Sequence, residues 1–218
     1  MVEGVIFDIG GVLADDVWEH LLPARDKQGG IAEKYGLDKE QVHKVGELLW
    51  QAFAYRPESH ENSWRELERQ YWDLFIKFFW GKSAPEGDSI DEFIEMTNRF
   101  INPVDAQVLC FLEELRLKGI RLGICSNNNE FWFRRQMDKL KLHRYFSPSK
   151  IILSCRIGVS KSSKRYEMFH AAVEAMGLPH SKCAFVDDRE DNVKFAEDCG
   201  MKGIHFTRNM NQLKKIFQ

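Results

Sequence analysis

Long apolar runs are missing from this sequence. No stretch of its 218 residues approaches the ~18 consecutive apolar positions that cross a bilayer, so no membrane-spanning helix is expected. An excess of one charge is missing too. The formal net charge is −2, which gives neither nucleic acid nor an anionic membrane surface an electrostatic hold. Cysteines are few: the five, Cys110, Cys125, Cys155, Cys183 and Cys199, form no CxxC pair. An odd, scattered set reads as free thiols in a reducing compartment, filling core space as small hydrophobes. The amino-terminal apolar stretch is short and ends in Asp8, without the basic-then-apolar order of a secretory signal. Cytoplasmic residence is the expectation. No G-x-G-x-x-G follows that stretch, which disfavours a dinucleotide-binding fold. Internal repeats and low-complexity tracts are absent as well.

Hydrophobic residues make up 44% of the chain, enough for a sizeable core, and the length suits one large domain or a domain with an insertion. Short apolar runs without clean alternation recur: GVIF before Asp8, IRLGIC (Ile120 to Cys125), KIILS, CAFV (Cys183 to Val186) and KGIHF. Runs of that kind are expected for parallel strands covered on both faces. Helical patterns lie between them: VDAQVLCFLEELRLKG, NEFWFRRQMDKLKL, SKRYEMFHAAVEAMG and REDNVKFAEDCG. Strand and helix in alternation predict an α/β fold with a doubly wound parallel sheet. One interval breaks the rhythm. More than 100 residues separate the first strand from IRLGIC, where a crossover needs about a dozen. DKEQVHKVGELLWQAFAY, SWRELERQYWDLFIKFFW and SIDEFIEMTNRFI fill it with helical periodicity, punctuated by Pro57, Pro85 and Pro103. The reading is a core of residues 1–15 and 101–218 with a helical insertion at 16–100, placed directly after Asp8.

Ligands of open parallel sheets bind beyond the carboxyl ends of the strands. Polar groups stand at such ends here: Asp8, Ser126 with Asn127, and Asp187 with Asp188. A carboxylate directly after VIF is costly to bury unpaired. Lys161, in GVSKSSK, follows the third strand. Carboxylates, a hydroxyl, an amide and an ammonium converging on one crevice suit a hard divalent cation and an anionic substrate. Mg2+ takes few protein carboxylates and leaves positions for phosphate oxygens, and an aspartate can become an aspartyl-phosphate. Taken singly, the residues have plainer readings. Asp188 would cap the following helix, Ser126 and Asn127 would sit in a turn, and Lys161 would be a solvated loop lysine.

In VIFDIGGVLAD, LGICSNN, GVSK and FVDDREDN, in that order along the whole chain, the sequence resembles the haloacid dehalogenase superfamily, whose members are mostly phosphatases. The DIGG opening and the acidic DDREDN are most similar to the branch of sugar-phosphate phosphatases and the phosphatase domain of soluble epoxide hydrolases. The resemblance implies a Rossmann-like core with a helical cap over the site. It implies that Asp8 is the nucleophile and a Mg2+ ligand, with the Gly10 carbonyl and Asp188 as further ligands and Asp187 in support. Ser126 and Asn127 would bind phosphoryl oxygens, and Lys161 would neutralise charge on the nucleophile and the phosphoryl group. Asp191 and Asn192 would be supporting residues. The implied partner is a small phosphorylated substrate; nucleic acid and membrane are not expected. The alternatives are a catalytically weak relative kept for binding or regulation, and a carbon–halogen hydrolase, which needs no metal.

Departures from the family pattern sharpen the reading. Ser162 follows Lys161 where proline is usual, which leaves Lys164 as a rival. The insertion is rich in aromatics. Trp64, Leu67, Tyr71, Leu74, Phe75 and Phe78 share one helical face and predict its core. Trp72 and Phe79 lie off that face and are candidates for a pocket wall or an oligomer contact. Most family phosphatases also carry a second aspartate two residues after the nucleophile, as general acid and base. Gly10 stands there. Unless Asp15, Asp16 or a cap group such as His20 substitutes, an aspartyl-phosphate would be hydrolysed slowly.

Overall fold

Five apolar runs become strands: β1 (Gly4–Phe7), β2 (Arg121–Ser126), β3 (Ile151–Leu153), β4 (Cys183–Asp187) and β5 (Lys202–His205). They form one sheet in the order β3-β2-β1-β4-β5, with every neighbouring pair parallel. The structure, a computed structural model, describes residues 2–17, 30–56, 63–81, 85 and 87–217. Among them no helix is long and apolar enough to cross a membrane.

Because β1 is central, the chain winds outward to β2 and β3 on one side and to β4 and β5 on the other. The crevice at its carboxyl end is the switch point at which such sheets bind ligands. Register places Phe7 level with Ile124 and Val186. Alternation along β1 divides the core into two layers. Val5 and Phe7 join Leu122, Ile124, Ala184 and Val186 under helices α5 (Val108–Leu117), α6 (Glu130–Lys139) and α10 (Met210–Ile216). Ile6 joins Cys125 and Phe185 under α8 (Glu167–Met176) and α9 (Glu190–Asp198). Both faces are covered, which is why the strands show no polar alternation. Helix α8 starts later than its sequence pattern. Tyr166 adopts a left-handed φ of 54° just before it, so the segment that carries Lys161 is loop.

Between β1 and β2 lie α1 (Ile31–Lys34), α2 (Lys39–Ala54), α3 (Trp64–Trp80) and α4 (Ile90–Phe100). Asp38 and Ser63 cap α2 and α3 by accepting from the backbone N–H of Gln41 and Glu66. The buried face of α3 differs from the sequence expectation. Leu67, Glu68, Tyr71, Trp72, Phe75 and Ile76 point inward, whereas Leu74 and Phe78 are 45% and 57% exposed. Trp72 is therefore core and not a pocket wall. Its ring meets Tyr71 at 4.9 Å, Phe93 at 5.5 Å and Phe75 at 5.6 Å. Phe79 is partly buried against the same cluster. The stripe rotates because Glu68 turns inward to a bidentate pair with Arg135 of α6, at 2.6 and 2.5 Å. A fully buried carboxylate needs such a partner. The short helix α7 (Ser154–Ile157) links β3 to the Lys161 loop.

Candidate active site

Asp8 sits one residue beyond β1. Its N–H donates to the Val186 carbonyl at 2.9 Å, which extends the ladder and fixes the carboxylate between the ends of β2 and β4. Ser126, the last residue of β2, is buried, and its hydroxyl donates to Asp8. Lys161 reaches in from its loop, held by a hydrogen bond from its backbone N–H to Asn127 Oδ1 at 3.0 Å. Its ammonium is 1% exposed and stands 3.0 Å from Asp8 Oδ1 and 2.6 Å from Asp187 Oδ2. Burial alone would lower its pKa, but Asp187 and Asp8 reverse that and leave it raised. It is a fixed cation. Lys164 is exposed, which removes it as a rival.

The two aspartates at the end of β4 have different surroundings. Asp187 is buried, and both of its oxygens are occupied. Oδ1 accepts from Arg189 N at 2.9 Å and from Asn192 Nδ2 at 3.0 Å, and Oδ2 accepts from Lys161 Nζ at 2.6 Å. Asp187 thus orients the lysine and the start of α9. Asp188 is not the helix cap that an aspartate before a helix usually is; it lines the cavity above Asp8. Its carboxyl is pushed up to about 7, first by burial and then by the charges of Asp8, Asp187 and Asp16. Burial likewise raises Asp8, against the pull of Lys161.

Oxygens of Asp8, Asp187 and Asp188 lie within 4.8 Å of one another. Asp8 Oδ1 is buried and faces the Lys161 ammonium at 3.0 Å. Three carboxylates this close, with burial and mutual repulsion pushing Asp188 up, fit a hard divalent cation, and with Asp187 committed elsewhere the capacity rests with Asp8 and Asp188. Gly10 lines the same cavity. The next residue, Gly11, has φ of +72°, and a Cβ there would fall 2.0 Å from Asp188 Oδ2. Glycine is thus obligatory at 11 for Asp188 to approach. Asn192 is buried on Asp187, but Asp191 is exposed on α9 and is not brought to the cluster. His20 lies outside the described residues.

The family model for haloacid dehalogenase-like hydrolases matches residues 2–200. The chain belongs to this family. Among curated relatives of this haloacid dehalogenase-like hydrolase, "Flavin mononucleotide hydrolase 1" of Arabidopsis thaliana is 36% identical over 88 residues, 40% of this chain and 34% of that protein. A phosphatase of Mycobacterium tuberculosis is 30% identical over 99 residues, 45% and 44% of the two chains. The matches thus span less than half the length of either relative. A HAD family enzyme of Bacteroides thetaiotaomicron, solved as a variant with magnesium and inorganic phosphate, superposes with a TM-score of 0.68 at 20% identity over 96% of each chain. The L-2-haloacid dehalogenase of Xanthobacter autotrophicus gives 0.59 at 17% identity over 92% of this chain and 76% of its own.

The hydrolase has a cavity of about 470 Å³ over Asp8. Sequence reasoning missed part of its lining. His43, Glu47 and Trp50, on one stripe of α2, line it together with Trp132 and Gln136 of α6. The i, i+4, i+7 spacing of the α2 residues was visible, and it lies beside the buried stripe of Val42, Val45 and Phe53. Nothing in the spacing said which surface the stripe would face.

Proposed function

We propose that this protein is a Mg2+-dependent phosphatase of small phosphorylated metabolites, acting through an aspartyl-phosphate on Asp8. The observation that carries this reading is the pairing of Asp8 with a buried, charged Lys161 beside an Asp188 whose carboxyl is pushed up by burial and by the charges of Asp8, Asp187 and Asp16. The names of the two curated relatives, a flavin mononucleotide hydrolase and a phosphatase, support it, as does the magnesium and phosphate complex of the Bacteroides enzyme.

In this reading Asp8 Oδ attacks phosphorus in line with the leaving oxygen. Lys161 holds the nucleophile ionised and offsets charge on the equatorial oxygens. Asn127 lines the cavity and binds a phosphoryl oxygen while its Oδ1 steadies the lysine loop, and Ser126 orients Asp8. Asp187 positions Lys161 and Asn192. Mg2+, held by Asp8, Asp188 and the Gly10 carbonyl, would supply charge neutralisation for the phosphoryl group. Residues 16–100 act as the cap, and the side chains of α2 contact the leaving group. Carbon–halogen hydrolysis is the weaker reading, since it has no use for the acidic cluster.

Phosphate release from p-nitrophenyl phosphate and a panel of phosphorylated metabolites tests the proposal. Release is expected to require Mg2+ and to vanish in Asp8→Asn. A rate that survives excess chelator sinks the metal assignment, and halide release from 2-haloacids without metal would establish the other reading.

A further inference from the structure

Position 10 carries no side chain, yet the space that such a side chain would enter is not empty of carboxylate. Among the described residues, its chain neighbours aside, a Cβ built on Gly10 meets Cγ and Oδ2 of Asp16, each at 3.8 Å. These are ordinary van der Waals distances, and Gly10 does not adopt a left-handed φ, in contrast to Gly11. Neither backbone conformation nor crowding therefore demands glycine at 10. The carboxylate of residue 16 stands in van der Waals contact with the point from which a side chain at residue 10 would start.

The chain reaches this arrangement through a tight reversal. The N–H groups of Leu13 and Ala14 both donate to the Ile9 carbonyl at 2.9 Å, and Gly11 N donates to the Ala14 carbonyl at 2.8 Å. Gly10 and Ala14 form a parallel bridge, and Asp15 N is tied to the Asn102 carbonyl at 2.8 Å. The reversal lays residue 16 beside residue 10. It also separates the two neighbouring aspartates: Asp15 is 5% exposed and does not line the cavity, whereas Asp16 lines it together with Asp8, Gly10 and Asp188.

We propose that Asp16 is the general acid and base of the reaction, delivering from the far side of the reversal the carboxylate that position 10 lacks. The proposal rests on the phosphatase reading. In the first half-reaction an Asp8 oxygen bonds to phosphorus as the phosphorus–ester bond breaks. The electron pair of that bond goes to the leaving oxygen, which takes the proton of Asp16 and departs as the alcohol. In the second, ionised Asp16 takes a proton from water as the water oxygen bonds to phosphorus. The bond to Asp8 breaks, its electrons return to the Asp8 carboxylate, and inorganic phosphate leaves with Asp16 protonated again. The leaving oxygen and the water occupy the same in-line position in turn, so one carboxylate serves both steps.

The test uses p-nitrophenyl phosphate with Mg2+ in rapid mixing, and the mass of the acid-quenched protein as a readout independent of turnover. Nitrophenolate needs little protonation, so Asp16→Asn is expected to phosphorylate Asp8 and then stall. Its trace should show a burst near one equivalent per site, a steady rate lower by about 10²-fold or more, and a protein mass increased by one phosphoryl group. The wild type should release product linearly and show no phosphorylated protein. Adding Gly10→Asp to Asp16→Asn should recover at least about tenfold of the lost rate. An Asp16→Asn enzyme with the wild-type steady rate overturns the proposal. So does one that loses the burst along with the steady rate, which would make Asp16 part of phosphoryl or metal binding. A full burst in the wild type overturns it as well. If the folded wild type releases no product at all, the phosphatase reading falls, and the Asp16 assignment with it.

Discussion

At the residue scale, identical side chains have been given different tasks by their surroundings. Asp187 and Asp188 are neighbours on one strand end, but only Asp187 has its oxygens filled by hydrogen bonds. Burial and the charges of Asp8, Asp187 and Asp16 outweigh the pull of Lys161 on Asp188, and its carboxyl rises from 3.8 to about 7. In metal-free protein that carboxyl holds its proton at pH values where the unfolded chain has lost it. The folded state binds more protons than the unfolded one between about pH 4 and 7, so stability falls as pH rises through that window. The melting temperature in chelator is therefore expected to drop from about pH 5 to 8, and Asp188→Asn should flatten the drop. Mg2+, held by ionised Asp188 in the proposed function, should raise the melting temperature at pH 8 far more than at pH 5. Thermal melts of both proteins, with and without Mg2+, decide it; an unchanged pH slope in Asp188→Asn counts against it. The two glycines after Asp8 divide in the same way. Gly10→Ala should leave the fold and Mg2+ affinity nearly unchanged. Gly11→Ala, whose Cβ would strike Asp188 Oδ2 at 2.0 Å, should weaken Mg2+ binding about tenfold or more, as read by calorimetry.

At the scale of elements, α3 shows why a helix's buried face is not set by its apolar residues alone. The pattern Trp64, Leu67, Tyr71, Leu74, Phe75, Phe78 is a valid amphipathic stripe. The structure nonetheless buries Glu68 and Trp72 and exposes Phe78. The Glu68–Arg135 pair, with Arg135 also donating to Asn98 Oδ1 at 3.1 Å, joins α3 and α4 to α6. Arg135→Met leaves Glu68 buried and uncompensated and should cost about 3–5 kcal/mol, whereas Glu68→Leu with Arg135→Met should recover much of that. Denaturant melts of the single and double variants measure it, and equal losses in both would show that packing, and not charge, holds α3. The strands were legible because short apolar runs bounded by polar residues have few other uses. The start of α8 was not, because the left-handed turn at Tyr166 has no glycine to announce it.

At the scale of the whole molecule, the site lies between two bodies of sequence. Asp8, Asn127, Lys161 and Asp188 come from strand ends and loops of the sheet, and His43, Glu47 and Trp50 come from α2. Side chains on α2 are partly exposed at the cavity wall, so their loss should disturb recognition more than stability. Trp50→Ala and Glu47→Ala are expected to shift relative kcat/KM among phosphate esters by about tenfold while melting temperatures stay within a few degrees. A panel that all three proteins rank alike would take α2 out of substrate selection.

What the sequence by itself determined is the set of strands, the polar residues at three strand ends, and the long helical interval after the first strand. Local periodicity and composition report those, because they follow from which side chains must leave water. Tertiary structure alone decided three further matters. It assigned Asp187 to Lys161 and left Asp188 facing the cavity, a difference made by hydrogen bonds from α9 and the lysine loop. It turned α3 so that Trp72 is core. It folded residues 11–14 back so that Asp16, and not Asp15, reaches the side-chain space of Gly10. Each depends on distances between segments that the chain brings together only when the sheet closes, and no periodicity along the chain encodes such a distance.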